Sequence, residues 1–190
     1  ARIQALQSRI RPHFLFNSMN IIASLISVDP EAAEQVVEDM SKLFRASLKD
    51  SGNVVCLEEE LSLCQRYARI EQLRMGDRLQ LDWDISEEAE DAAIPLLTLQ
   101  PLLENAIYHG IQPLAQGGLV SVRAWVDRNK LLLSVRNPRP LGESPHHGNR
   151  MALENIRHRL QALYGEEARV DARPQDDQYE VLISYPFKNC

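Results

Sequence analysis

The seven residues KDSGNVV, Lys49 to Val55, divide the chain into two kinds of hydrophobic patterning and read as a linker between domains. Before them, apolar residues recur at helical spacing. Residues 2–28 hold no glycine and a single proline, Pro12, and read as one long helix kinked near Arg9, where the proline removes a backbone donor. Asp29 and Pro30 then form a restart signal, a capping residue followed by proline at the first helical position. A second helix over 30–49 carries Val36, Val37, Met40, Leu43, Phe44 and Leu48 as its apolar stripe. Residues 1–50 are therefore expected to form an antiparallel helical hairpin.

Residues 51–190 read differently. A helix is expected over about 57–75, then a strand in RLQLDWDI, where apolar and polar residues alternate. A helix around 95–110 precedes two strands, GGLVSVRAWV and KLLLSVRN, joined by a turn through DRN. The stretch PRPLGESPHHGN is rich in glycine and proline and runs into a helix at about 150–164. The chain closes in a hairpin within ARVDARPQDDQYEVLISYP. The fold class is α+β, a helical hairpin followed by a mixed domain.

Composition narrows the function. Of 190 residues, 44% are apolar and 25% charged, and the net charge of −6 comes with no dense basic run. A nucleic-acid surface is thereby disfavoured, because phosphate backbones demand concentrated lysine and arginine. Cys56, Cys64 and Cys190 show neither a CxxC pair nor metal-ligand spacing, and read as free thiols in a reducing compartment. No apolar run reaches the ~18 residues of a membrane helix; AAIPLLTLQPLL is broken by Pro95 and Pro101. No signal peptide opens the chain, and residue 1 falls inside a helical pattern (Ile3, Leu6, Ile10). The expectation is a piece cut from a longer protein.

Within RIRPHFLFNSMNII, Arg9 to Ile22, one histidine stands among apolar residues. His13, Asn17, Asn20, Ser24 and Ser27 recur at steps of four and three and so share one helix face, which Arg9 extends. The rest of the circumference is largely apolar, more than a two-helix hairpin can cover. Pairing of two chains into a four-helix bundle would cover it and leave the polar stripe in water. By spacing alone, His13 is either part of a solvated face or an exposed nucleophile for phosphoryl transfer.

This segment resembles the phosphoacceptor box of LytS-type sensor histidine kinases, which reads PHFLFN followed by Leu-Asn. The likeness continues through EELSLCQRYARIEQLRMGDRL and LTLQPLLENAIYHGI, and so spans most of the chain. The resemblance implies that His13 is the phosphoacceptor. It also implies that 51–190 is an α/β sandwich of the gyrase, Hsp90 and histidine kinase type that binds ATP with Mg²⁺. Asn105 matches the magnesium ligand, and His109, at i+4, is placed to meet a phosphate. Glu104 is the nearest candidate to take the proton of His13, the alternative being a solvated or ion-paired carboxylate. Asn17 stands where an amide would orient a water during dephosphorylation of a partner, the alternative being a structural hydrogen bond.

Against the family pattern, Tyr108 replaces a lysine, and Pro101 stands where hydrolysing relatives carry a glutamate. Asn137 is the closest substitute for an adenine-binding aspartate. Pro138 and Pro140 occupy glycine positions of that box. In GNRMAL, Gly148 remains, while Arg150 and Ala152 replace glycines. Arg150 is a candidate to restore the charge that Tyr108 lacks. Gln178 and Tyr179 stand in for a late Gly-Thr. His146 and His147 belong to a lid rather than a metal site, and the arginines of NIRHRL are expected to be solvated. The implied protein is the cytoplasmic kinase core of a membrane-anchored, homodimeric two-component sensor. Its implied partner is a response regulator of the LytTR, AlgR-like type, with no direct nucleic-acid contact. A catalytically impaired scaffold or phosphatase for that regulator is the alternative.

Overall fold

The computed structural model describes residues 11–49, 52–139 and 147–190. Helix α1 (Pro12–Leu25) opens at Pro12, and Arg11 before it is extended, with φ −64° and ψ 125°. The expectation of one continuous helix over 2–28 is corrected here, since the chain is extended at Arg11, while the kink expected near Arg9 lies outside the described residues. Proline clashes with a helical residue before it but fits the first helical position, so Pro12 starts a helix here instead of bending one. After a turn, α2 (Pro30–Leu48) begins as its sequence foretells, with the Asp29 carboxylate accepting the Ala32 N–H at 3.1 Å and Pro30 next to the cap. The hairpin expectation holds for the described residues, whereas Asp50 and Ser51 of the linker lie outside them.

The second part begins with β1 (Val54–Cys56) and α3 (Leu57–Met75), followed by β2 (Leu79–Ile85) and the short α4 (Glu87–Glu90). Strand β3 (Ala93–Pro95) pairs antiparallel with β1. Helix α5 (Leu99–Asn105) continues into a π-helical stretch, Ala106–Ile111. Strands β4 (Gly118–Asp127) and β5 (Lys130–Pro138), helix α6 (His147–Tyr164), and strands β6 (Arg169–Gln175) and β7 (Gln178–Pro186) complete the chain. The five-stranded sheet runs β2-β4-β5-β7-β6, with β2 and β4 parallel and every other pair antiparallel. Sequence patterning missed the small β1–β3 sheet because Ala93–Pro95 is apolar throughout and buried, and so carries no alternation.

Register explains the core. Val122 lies opposite Val135, which lies opposite Val181; Ala124, Leu133 and Ile183 form the next row, and all six are buried. Alternate residues such as Arg123 and Arg136 face water. Leu103 and Ile107 from the α5 segment and Ile156 and Leu160 from α6 are buried in the same core, each removal from water being worth about 2 kcal/mol. The architecture is mixed helix and sheet, as expected.

The hairpin is joined to this domain by a buried ion cluster. The Asp39 carboxylate, 1% exposed, accepts from Arg66 at 2.8 Å and from two nitrogens of Arg69 at 3.1 and 2.9 Å. A ring contact adds to it, Phe14 against Tyr67 with centroids 4.9 Å apart. The thiol expectation is overturned for two of the three cysteines. Cys56 and Cys190 are disulfide-bonded across 134 residues, with Cα atoms 5.1 Å apart. Antiparallel pairing sets Cys56 opposite Ala93, and a bridge joins Ala92 to Asn189, so the tertiary fold brings the two cysteines together. Cys64 is free and buried.

Candidate functional site

The site is built at the start of α5. Thr98 precedes the helix, but its hydroxyl donates to the Pro95 carbonyl and caps nothing. Glu60, wholly buried on α3, does so from a distance: its carboxylate accepts the N–H groups of Leu97 at 2.8 Å, Leu99 at 3.0 Å and Gln100 at 3.1 Å. Burial pushes the Glu60 acid up, and the backbone donors oppose that shift. Pro101 comes next, in the first turn, where a missing N–H costs no helical bond. Leu97 holds a positive φ of 61°, and Arg159 of α6 donates to the carbonyls of Leu96 and Leu97 at 2.8 and 2.5 Å. Arg157 donates to the Val170 carbonyl at 2.9 Å. The arginines of NIRHRL are therefore braces between α6 and its neighbours. They are half-buried and only partly solvated, because each guanidinium meets carbonyls brought close only by the fold.

A cavity of about 540 Å³ opens between α1, α2, α5 and α6. Its wall holds Gln100, Glu104 and Asn105 from α5, Arg11 from the start of α1, and Asn155 and Arg159 from α6. Asn105 is buried, and its Oδ1 accepts from Nη2 of Arg11 at 2.5 Å. The Arg11 guanidinium also lies over the Tyr108 ring, 4.4 Å from its centroid. Glu104 accepts from the Gln100 amide at 3.2 Å. Its acid is pushed up to about 7 by burial, against the opposing pull of that hydrogen bond and of Arg11 and with a further push from Glu71. The other amide atom of Gln100, Oε1, is buried without a hydrogen-bond partner among the described residues.

The nominated residues fall into three groups. Glu104 and Asn105 line the cavity, and Ala152 lines it from α6. His13 is exposed, one turn from partly buried Asn17, and it is flanked by Arg11 and Phe14, which do line the cavity. His109, Asn137 and Arg150 are not among the described lining residues. Asn105 is the last α-helical residue, and the π-helical widening that follows alters the i, i+4 alignment expected for His109. His109 instead meets Tyr108 edge-on at 5.0 Å. Asn137 packs on Gly110, where a Cβ would collide with its side chain. Arg150 is exposed on α6, and Gly148 lies in that helix's first turn. Pro140 and His146 lie outside the described residues. Arg11, Gln100 and Arg159 were missed. Arg11 and Arg159 reach across 94 and more than 60 residues, and no periodicity reports such a contact.

The donor set suits a magnesium nucleotide. Magnesium prefers hard oxygen ligands, which the Asn105 amide supplies; the buried Gln100 oxygen has no partner among the described residues, and Arg159 adds positive charge. Two features run against it: Arg11 occupies the amide oxygen, and His109, Asn137 and Arg150 are not among the described lining residues.

Residues 1–79 match the family model for histidine kinases. The chain is 40% identical over 87% of its length to the sensor histidine kinase YpdA of Escherichia coli. It is 33% identical over its whole length to the sensor protein LytS of Oceanobacillus iheyensis, and 30% identical to the E. coli sensor histidine kinase BtsS. It spans about a third of the length of these relatives. Among solved structures, the Acinetobacter baumannii histidine kinase AdeS overlaps 88% of the chain and 84% of its own at a TM-score of 0.53 and 14% identity. A nucleotide-free form of the catalytic domain of histidine kinase ThkA overlaps 70% of the chain and 94% of its own at 0.54 and 16%. Those structures establish the fold alone. Over 87% of its length or more, the chain is therefore similar in sequence to sensor histidine kinases, LytS among them.

Proposed function

We propose that this chain is the kinase core of a two-component sensor, phosphorylated on His13 from ATP and passing the phosphoryl group to an aspartate of a response regulator. The observation that carries the reading is the pairing of an exposed imidazole at the start of α1 with a crevice beside it, walled by Glu104 and Asn105. A neutral ring nitrogen of His13 attacks the γ-phosphorus, the bond to the departing ADP oxygen breaks, and the proton on the other ring nitrogen leaves to Glu104. A carboxylate with an acid constant near 7 is matched to accept a proton at neutral pH. Asn105 is the residue that would hold Mg²⁺, which when bound neutralises charge on the phosphates. Pro101 carries no base to activate water beside that site, which favours transfer to a side chain over hydrolysis. Asn17 serves the reverse role, orienting water when the partner is dephosphorylated.

The exposed apolar face of the hairpin supports a homodimer. An AlgR-like, LytTR-type regulator is the partner suggested by the resemblance of the histidine segment to that of the alginate sensor AlgZ. By likeness to the sensor relatives, the core belongs on the cytoplasmic side of an inner-membrane protein. No described helix is long and apolar enough to cross a membrane. Incubation with γ-labelled ATP is expected to label the protein in an acid-labile form, and His13→Gln to abolish it. Equal labelling of that variant refutes the assignment. The rival, a scaffold or phosphatase that binds no nucleotide, is motivated by Arg11 on the Asn105 amide. It predicts no calorimetric signal with millimolar Mg-ATP.

A further inference from the structure

Arg11 is held at its far end by three different groups. Its Nη2 donates to the Asn105 amide oxygen at 2.5 Å, its guanidinium covers the face of Tyr108 at 4.4 Å, and the Glu104 carboxylate attracts it. At its backbone it is equally constrained. Its carbonyl accepts the Phe14 and Leu15 N–H groups at 3.0 and 3.3 Å, and Pro12 holds it extended. Arg11 is thus the cap of the helix that bears His13, and Phe14 of the same turn rests on Tyr67. The first turn of α1 and the metal-binding wall of the crevice are tied by one side chain.

We propose that Arg11 is a latch: its guanidinium takes the Asn105 oxygen in place of a divalent cation, so that docking of the His13 helix and loading of the magnesium nucleotide exclude each other. This rests on the reading of Asn105 as the magnesium ligand. A doubly charged ion bound at about 2 Å and a guanidinium nitrogen cannot both crowd one amide oxygen, since the two positive charges would lie within a few ångströms in a buried setting. Loading the cation therefore expels Arg11. Because the guanidinium and the first turn of α1 move together, expulsion frees that turn, and with it His13, to shift from its docked position toward the nucleotide. Linkage makes the effect reciprocal: whatever lifts α1 from outside raises affinity for the magnesium nucleotide by the same factor. A signal arriving through the helix would then reach the crevice without touching the nucleotide.

The test compares wild type with Arg11→Ala and Arg11→Lys by titration calorimetry with the non-hydrolysable analogue AMP-PNP, in magnesium and in EDTA. Circular dichroism checks that each variant is folded. Arg11→Ala is expected to bind about tenfold tighter in magnesium and unchanged in EDTA, with Arg11→Lys between. In wild type, Mg-AMP-PNP is expected to speed hydrogen exchange at the Phe14 and Leu15 amides. Unchanged affinity overturns the latch, and weaker affinity overturns it in favour of Arg11 as a phosphate ligand; either leaves the kinase reading standing. Absence of binding by all three folded proteins overturns both.

Discussion

The hairpin and the sheet domain treat apolar side chains in opposite ways. On the hairpin, Phe16 is 67% exposed, Met19 55% and Ile26 62%, while in the sheet Val122, Leu131 and Ile183 are fully enclosed. Isolated exposed apolar residues are ordinary, but a run of them along one two-helix element is a surface that wants covering. The sheet domain completes its own core; the hairpin uses its inner side on α3 and leaves Phe16, Met19 and Ile26 exposed among the described residues. The difference teaches where each kind of change is felt, in stability for one region and in association for the other.

The largest expected effect breaks the sheet. Leu133→Ala should remove about 3–4 kcal/mol of unfolding free energy, because a sealed site between Ala124 and Ile183 cannot collapse; denaturant titration reads it. At the seam, Asp39→Ala leaves two arginines facing a vacated buried pocket. Since Arg69 is half exposed and recovers water, the expected loss is about 2 kcal/mol, with α1 and α2 exchanging amide protons faster than the sheet.

Glu104 sharpens the contrast through pH. Its acid constant is raised in the folded chain, so the folded state holds the proton more tightly between about pH 4.5 and 7. Stability from this group is full below that range and is lost as pH rises through 7. Glu104→Gln should be flat across it and, at pH 8, more stable than wild type by on the order of 2 kcal/mol in thermal melts compared across pH. The smallest stability change is expected for Phe16→Ser, within about 0.5 kcal/mol in the single chain. Its effect is on association: sedimentation should show weaker dimers, and an unaltered dimer constant would mean that this face is not the interface.

Much of the fold was legible because its signals are local. Alternation marked β2, two strands about a turn through DRN marked β4 and β5, a closing hairpin marked β6 and β7, and the Asp29-Pro30 pair marked the start of α2 to the residue. His13, Asn17 and the serines below them were readable as one face because helix geometry repeats within a turn or two. The short β3 was not legible, since burial on both sides erases alternation. The site was legible in parts: Glu104 and Asn105 lie together on one helix and line one cavity, whereas the expected place of His109 depended on a helix that widens after Asn105.

By itself, the sequence determined a helical hairpin before a mixed domain, and a histidine turned outward on the first helix, because those follow from neighbours three or four residues apart. Only the tertiary structure decided that Cys190 meets Cys56, that Glu60 caps a helix about 40 residues further on, and that Arg11 rests on Asn105. Such pairs are selected by the shape of the closed core. Chain entropy and packing choose them jointly, and no residue nearby in sequence carries their trace.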